Sequence, residues 1–350
     1  DLARAEIARA YFELSEFEPS KNELESVRSS EKIPAAAQTT IDRYLSAIEE
    51  ATGSGGTKIS GYVTVGLGYD SNINSGTDQT QVAIPFLGAN LPFQLVDQAR
   101  EQDSAYGLVA GGVNISHALN DTYSIVGGAR GYYRFTEDPF TTRDIYLYGG
   151  VRADFDRHQF TLAAQGEHFE VDHDSLRYVY GGFGQYRYAL DNRSQLRLAL
   201  QISKIDYPKV PNRDAMRYIA SAGYVRAIGG KREPNVFAGV YGGTEAEERN
   251  QFAQLGHEVY GGRLGGSLKM WENIRGFTSI SLEQRDYGGL DTIFLRQRDD
   301  TQMIVSGGLE YEPNSTWRVR PNISYTNNDS NIVTSDYDRV VVGIDVTMRF

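Results

Sequence analysis

The 350-residue sequence contains no cysteine, only 2 tryptophans and 10 prolines, and no hydrophobic run long enough to cross a membrane as a helix. The lack of cysteine excludes a disulfide framework. The mean hydropathy of −0.45 argues against a transmembrane helix, which needs about 20 apolar residues in succession. The net charge of −11 argues against broad nucleic-acid binding. None of this excludes a membrane β-barrel, because only every second residue of its strands faces lipid.

The sequence is rich in residues that favour strands. It has 23 tyrosines, 15 phenylalanines and 37 glycines, a profile typical of aromatic-rich β-proteins. The last fourteen residues show the alternation of apolar and polar residues that is typical of a strand. From Val340 to Phe350 every second residue is apolar, whereas Arg339, Asp345 and Arg349 lie on the other face.

This terminal strand has one apolar and one wet face. Unpaired charges are costly in a sandwich core, whereas the wall of a water-filled lumen accommodates them. An ordinary half-buried strand of a soluble β-protein is the alternative. The aromatic end at Phe350 resembles the C-terminal assembly signal of Gram-negative outer-membrane barrels, which implies that the barrel-assembly machinery is a partner.

The rest of the chain beyond residue 57 repeats this pattern. We therefore predict a mainly β fold, a 14-stranded antiparallel transmembrane β-barrel over residues 58–350, embedded in the outer-membrane lipid bilayer. The predicted strands are residues 58–70, 104–116, 122–135, 143–155, 159–170, 176–189, 194–205, 215–227, 235–244, 258–270, 274–285, 300–312, 317–326 and 337–350.

Connections between the predicted strands alternate strictly between short and long. Short turns are predicted around residues 120–121, 156–157, 191–192, 229–230, 272–273 and 313–314. Outer-membrane barrels place short turns in the periplasm and long loops outside the cell. The longest loop, residues 71–103, is unusually apolar, so we expect it to constrict the lumen or pack on the rim rather than bind a partner. Pro321 within a strand predicts a bulge.

Charged residues of both signs fall on the inward phase of the predicted strands. They predict a polar lumen lined by Arg130, Arg134, Arg152, Asp154, Arg197, Glu283, Arg285, Arg318, Arg320 and Asp345.

The first 51 residues have helical rather than strand periodicity. Predicted helices cover residues 2–17 and 20–29, and a third begins near Pro34. The run from Ala8 to Pro19 is similar to a tetratricopeptide repeat, and a plain helical hairpin is the alternative. Residues 52–57, rich in glycine, form a predicted linker. Because the helices precede the first strand at its short-turn end, we expect this segment to lie in the periplasm.

A motif at the end of the first predicted strand carries a family resemblance. Together with helical repeats, a short hinge and the Phe350 end, it resembles the surface lipoprotein assembly modulator (Slam) family. The motif residues are Gly66, Gly68, Tyr69, Asp70, Ser71, Asn72 and Asn74. The family joins a periplasmic tetratricopeptide domain to a fourteen-stranded outer-membrane barrel and helps lipoproteins, or soluble haem-binding relatives, to cross the outer membrane.

The resemblance implies a translocon-like barrel for export or surface display of a lipoprotein or secreted protein client. A diffusion porin for small polar or charged solutes is the alternative. The alternating oxygens of Asp70, Asn72 and Asn74 suggest calcium, but Ser75 stands where an EF-hand loop needs glycine. His168, His173, Asp174 and Ser175 lie close together at the end of the fifth predicted strand, without the rigid frame that a catalytic nucleophile and base need. We predict no enzyme activity, no metal and no cofactor.

Overall fold

A computed structural model describes residues 8, 17–28, 41, 42, 44, 45, 48, 56–87, 92–136 and 139–350. Most of the first and third predicted helices and of the predicted linker lies outside these residues. Among the described residues, no helix has both the length and the apolar character needed to cross a bilayer.

The N-terminal segment contains helix α1, Phe17–Arg28. It begins three residues before the predicted helix at Ser20, and Pro19 lies in its first turn, where its missing N–H is tolerated. Ser20 donates a hydrogen bond to the carbonyl of Ala8 at 2.7 Å. Leu24 of α1 is buried in an apolar cluster. The other members of that cluster are Ala8, Val27, Ile41, Leu45 and Ile48, with Tyr44 packed against them.

Sixteen strands occur in the described part of the chain, and fourteen of them close into one antiparallel barrel. This confirms the predicted fold. The strands are β1 Thr57–Asp70, β2 Gln81–Ala83, β3 Pro92–Gln94, β4 Ser104–Ala118, β5 Tyr123–Phe135, β6 Thr142–Phe155, β7 His158–Val171, β8 Asp174–Asp191, β9 Ser194–Asp206, β10 Ala215–Ala227, β11 Asn235–Glu247, β12 His257–Trp271, β13 Ile274–Leu290, β14 Gln297–Tyr311, β15 Trp317–Ser330 and β16 Tyr337–Arg349. The short strands β2 and β3 pair with each other inside the loop between β1 and β4.

The barrel closes where β1 pairs with β16. The register runs from Tyr62 opposite Arg349 to Asp70 opposite Val341. Beyond it, Gly61 donates to the carbonyl of Phe350 at 2.8 Å and accepts from its N–H at 3.0 Å. Pairing therefore continues to the last residue of the chain, which leaves little open edge.

The outer face of the barrel is an apolar band. Leu67, Leu162 and Leu200 are 67%, 66% and 65% exposed although they lie within strands. A continuous apolar surface of this extent is not stable in water and is typical of a lipid-facing barrel. The opposite face of each strand points into the lumen, where Asp70 and Thr347 are buried.

The strict alternation of short and long connections is wrong at two places. At the long-loop end, β7 and β8 are joined by only Asp172 and His173. Both have positive φ, 50° and 65°, as a two-residue turn matching the twist of paired strands requires. At the other end, residues 228–234 form a seven-residue connection. There Pro234, which has no N–H for the ladder, directly precedes β11.

The predicted bulge at Pro321 is also wrong. Pro321 pairs with Ile344 in an unshifted β15–β16 register. The β14–β15 register also keeps its phase but has no pairs between Gly308–Asn322 and Tyr311–Val319. The proline therefore interrupts one ladder for a short distance and does not insert an extra residue.

The closure can be tested with an engineered disulfide, because the chain has no cysteine of its own. Thr64 and Thr347 face each other, and their hydroxyl oxygens are 2.8 Å apart. They form a non-hydrogen-bonded pair, with a Cα separation of about 4.5 Å that suits a disulfide. We expect the double variant T64C/T347C to crosslink spontaneously and to migrate faster than its reduced form on denaturing gels.

The control for this crosslink is T64C/V341C. Val341 lies six residues from Thr347, the partner of Thr64, which is roughly 20 Å along the strand. Both variants should show the heat-modifiable migration of a folded barrel. A folded T64C/T347C protein with two free thiols would contradict the closure.

Candidate functional site

The motif at the end of β1 is centred on a buried carboxylate. Asp70 is fully buried and accepts hydrogen bonds from Arg134 of β5 at 2.6 Å and from Arg339 of β16 at 2.9 and 2.5 Å. The guanidinium of Arg134 lies 3.9 Å above the ring of Tyr106. A Cβ on Gly68 would lie 2.4 Å from the hydroxyl of Tyr106. Glycine at this position therefore leaves room for the aromatic ring beneath the ion pairs.

The polar residues after Asp70 attach the following loop to the barrel rim. Asn72 donates to the carbonyls of Gly76 at 2.8 Å and Asp338 at 2.9 Å. Asn74 donates to the carbonyl of Arg100 at 2.6 Å and accepts from the N–H of Gln102 at 3.0 Å. A further set of bonds links Ser71 with Val340 and Tyr69 with Asp103.

These contacts also bear on the calcium alternative. Both carboxylate oxygens of Asp70 are occupied by arginines, and the amide oxygens of Asn72 and Asn74 accept from backbone N–H groups. A hard cation would have to displace two guanidinium groups. The arrangement therefore favours the hydrogen-bonded turn over a calcium loop.

The loop over residues 71–103 contacts the rim. The N–H of Phe86 lies 3.4 Å from the carbonyl of Ile293, in the connection between β13 and β14. Val82 is buried within the loop, while Phe86 and Val96 remain largely exposed. Of the expected arrangements, these contacts support packing on the rim.

Asp70 provides a stability prediction. Arg134 and Arg339 are mostly buried, and the variant D70A removes the carboxylate that they share. Removing one partner of a buried ion pair costs about 3 kcal/mol. We expect the free energy of unfolding, measured in urea with lipid vesicles, to fall by about this amount. D338A is the matched control, because Asp338 at the same rim is exposed and its side chain accepts from Tyr325 and Asn327 and not from an arginine of the described part of the chain. Equal losses for the two variants would contradict the role of Asp70.

The ten predicted lumen residues all lie on strand faces opposite the exposed apolar residues. Many are engaged by neighbours. Arg152 donates to Asp154 at 2.9 Å, and Glu283 pairs with Arg285 and accepts from Tyr241. Arg130 lies 4.5 Å above the ring of Tyr146. The remaining members are Arg134 at the rim, described above, Arg197 on β9, and the group of Arg318, Arg320 and Asp345 near the short-turn end.

Several charged residues of the lumen are not among the ten predicted ones. Arg177 and Glu167 pair at 2.9 Å, and Arg217 and Glu245 at 2.5 Å. Both pairs lie on the inward phase of their strands, so the same alternation would have found them. Glu310 was also missed, although it is 3.8 Å from Arg318 and 3.6 Å from Arg320.

Among the residues that the structure describes, two of the cavities lie along the inner wall. The larger, of about 450 Å³, lies along β11–β16 and contains Arg263, Arg320, Glu310 and Asp345. The other, of about 350 Å³, lies along β5–β10 and contains Arg130, Glu167 and Arg217. Both combine arginines, carboxylates and aromatic or apolar residues, and both are large enough to hold a small ligand or a short chain segment.

The contact between Ser175 and His168 does not form a catalytic triad. His168 and Ser175 approach within 2.9 Å, and Glu170 lies 3.5 Å from the same imidazole. Both partners contact Nε2. A catalytic triad instead needs the acid at one ring nitrogen and the nucleophile at the other. Tyr178 stacks on the ring of His168 at 4.4 Å.

Comparison with known proteins gave one family. A model of the family described as surface lipoprotein assembly modifier matches residues 60–350. A search of curated proteins matched none.

Several solved structures are similar to this chain at low sequence identity. The channel DcaP of Acinetobacter baumannii is 11% identical, with a TM-score of 0.45 over 84% of this chain and 97% of that one. OmpT of Vibrio cholerae lacking loop L8 is 9% identical, with a TM-score of 0.45 over 84% and 100%. The Pseudomonas putida toluene transporter TodX is 10% identical, with a TM-score of 0.40 over 84% and 89%. Likeness at this level carries no argument about function.

Proposed function

Because the chain belongs to the surface lipoprotein assembly modifier family, we propose that it is an outer-membrane translocon-like barrel that assists the export or surface display of lipoproteins or secreted proteins. The observation that carries this proposal is the family match, which spans residues 60–350 and thus nearly the whole barrel. A polypeptide carries polar groups along its whole length, and these need hydrogen-bonding or charged partners when they leave bulk water. A lumen with charges of both signs can supply such partners.

We further propose the orientation and the division of the chain. Short turns face the periplasm in outer-membrane barrels, so the N-terminus and the helical segment 1–51 lie in the periplasm. Residues 52–57 link this segment to the barrel over residues 58–350. The tetratricopeptide-like helices capture the client, and the barrel-assembly machinery inserts the barrel by way of its last strand.

The proposal is tested on intact cells. Lipoproteins are labelled with an alkyne fatty acid, and cells with and without the barrel gene are treated with protease. We expect at least one labelled protein to be degraded from outside only when the barrel is present. Identical protease sensitivity in both strains, with the barrel verified in the membrane, would contradict the export role.

The charged lumen favours a second candidate, a diffusion porin. Arg318 and Arg320 both lie beside Glu310, so reversing both to glutamate collects three carboxylates at one level of the lumen. Rings of charge set ion preference. If the barrel is an open pore, R318E/R320E should shift the reversal potential in planar bilayers toward cations.

The control for this measurement is K209E, which alters a lysine in the connection between β9 and β10 instead of the lumen wall. A reversal potential that is unchanged in R318E/R320E would contradict the lumen assignment of these arginines. A parent barrel without conductance would remove the porin and favour a gated translocon.

A further inference from the structure

The larger cavity has more cationic than anionic groups around it. Arg263 and Arg320 line it, and Arg318 lies beside it. The anionic groups that line the cavity are the carboxylates of Glu310 and Asp345. In the part of the chain that the structure describes, Arg263 has no carboxylate within ion-pair distance, and its hydrogen bond to Ser279 is long, at 3.3 Å.

The carboxylates that are present satisfy the arginines poorly. Glu310 is shared by Arg318 and Arg320 at 3.8 and 3.6 Å, longer than a good charge-assisted hydrogen bond. Among the described residues, neither buried Nε atom of these two arginines has a hydrogen-bond partner. Asp345 accepts from Asn322 at 3.1 Å. Donors therefore remain available at a site that is partly screened from water.

Aromatic rings hold two of the guanidinium groups in place. Arg320 lies 4.1 Å from the centre of the Phe277 ring, and Arg263 lies 5.4 Å from that of Phe237. Stacking occupies the face of a guanidinium and leaves its N–H edge free to bind. Such an edge matches a carboxylate in a bidentate geometry.

A row of small hydroxyl residues crosses the floor of the same cavity. Ser279 is opposite Ser306, and Ser306 is opposite Ser324, with 3.0 Å between the latter two hydroxyl oxygens. Small side chains leave the space open, and hydroxyls can donate to or accept from a ligand. The cavity thus combines arginine edges, hydroxyls and aromatic surface.

We propose that this cavity is a binding site for a carboxylate-bearing organic ligand, held by Arg263 and Arg320. The carboxylate comes either from a free organic acid or from an acidic side chain of an extended peptide. The inference does not rest on the proposed export function, because it concerns binding to the barrel itself.

The test is calorimetry on the purified full-length barrel in detergent, with tricarballylate as the free acid and a glutamate-rich hexapeptide as the peptide. The glutamine version of the peptide is the uncharged probe, and inorganic phosphate is the competing anion. We expect the free acid, the acidic peptide or both to bind, and R263Q and R320Q each to weaken binding roughly tenfold or more. R197Q is the matched control, since Arg197 is a lumen arginine on β9 that does not line this cavity.

A variant with the opposite expected effect on binding extends the test. D345N removes a repelling carboxylate from the cavity and should strengthen binding. Heat-modifiable migration verifies the fold of each variant. The proposal is overturned if neither probe binds, if the glutamine peptide or phosphate binds as tightly as the carboxylates, or if R197Q weakens binding as much as R263Q and R320Q.

Discussion

Deleting Phe350 is expected to remove most of the assembled barrel from the outer membrane and to leave degraded protein in the periplasm. Phe350 makes two backbone hydrogen bonds to Gly61 at the closing seam. Its ring lies against the backbone of Gly61, where a Cβ would be only 2.6 Å from the ring. Two lost hydrogen bonds cost about 1 kcal/mol each in the folded barrel. The larger expected loss would come from the proposed assembly signal at this terminal aromatic residue.

Two substitutions separate these contributions. F350A keeps the backbone pairing and removes the ring, whereas F350Y keeps an aromatic terminus. We expect F350A to resemble the deletion and F350Y to resemble the parent in the amount of heat-modifiable barrel. Parental barrel levels in the deletion strain would contradict an assembly role for the terminal aromatic residue.

Removing residues 1–50 is expected to leave a folded barrel and to abolish surface display of its lipidated client. Under the proposed function, export requires capture of a client in the periplasm, and under the proposed orientation this segment lies there. Its described residues form an apolar cluster of their own around Leu24. Display is measured by protease sensitivity of alkyne-labelled proteins on intact cells, with barrel level followed on the same gel.

The point variant L24D disrupts the same segment without shortening the chain, and so serves as a control for the deletion. Leu24 is 2% exposed, and burying a charge there without a partner unfolds the cluster. L24D should therefore reproduce the deletion. Undiminished display from either variant would contradict capture by the helices and favour a passive pore.

The strands and their faces were predictable from the sequence because each strand carries its own signal. Val65 and Leu67 alternate with Thr64 and Gly66, and no knowledge of distant residues is needed to assign the two faces. The fourteen strands follow from repeating this reasoning along the chain. The Asp70 site did not follow, because its partners Arg134 and Arg339 are 64 and 269 residues away in the chain.

The wrong details have local physical causes. The turn at Asp172 and His173 was missed because its positive φ values fall on residues other than the usual asparagine and glycine. With this tight turn, β7 and β8 pair up to Val171 and Asp174, beyond the strand ends that the hydrophobic alternation predicts. Pro321 was expected to bulge because a missing N–H weakens the ladder, yet one interrupted ladder is tolerated while the other side of β15 stays paired.

The most direct test of the proposed export route is site-specific photocrosslinking from the two faces of one strand. Val305 of β14 is exposed on the outer face, and its neighbour Ser306 lines the larger cavity inside the barrel. A photoreactive amino acid is placed at either position, cells are labelled with the alkyne fatty acid, and adducts of protein size are detected. If the client passes through the lumen, labelled protein adducts form from position 306 and not from position 305. Adducts from position 305 alone, or none from 306 in cells that display the client, would contradict passage through the barrel.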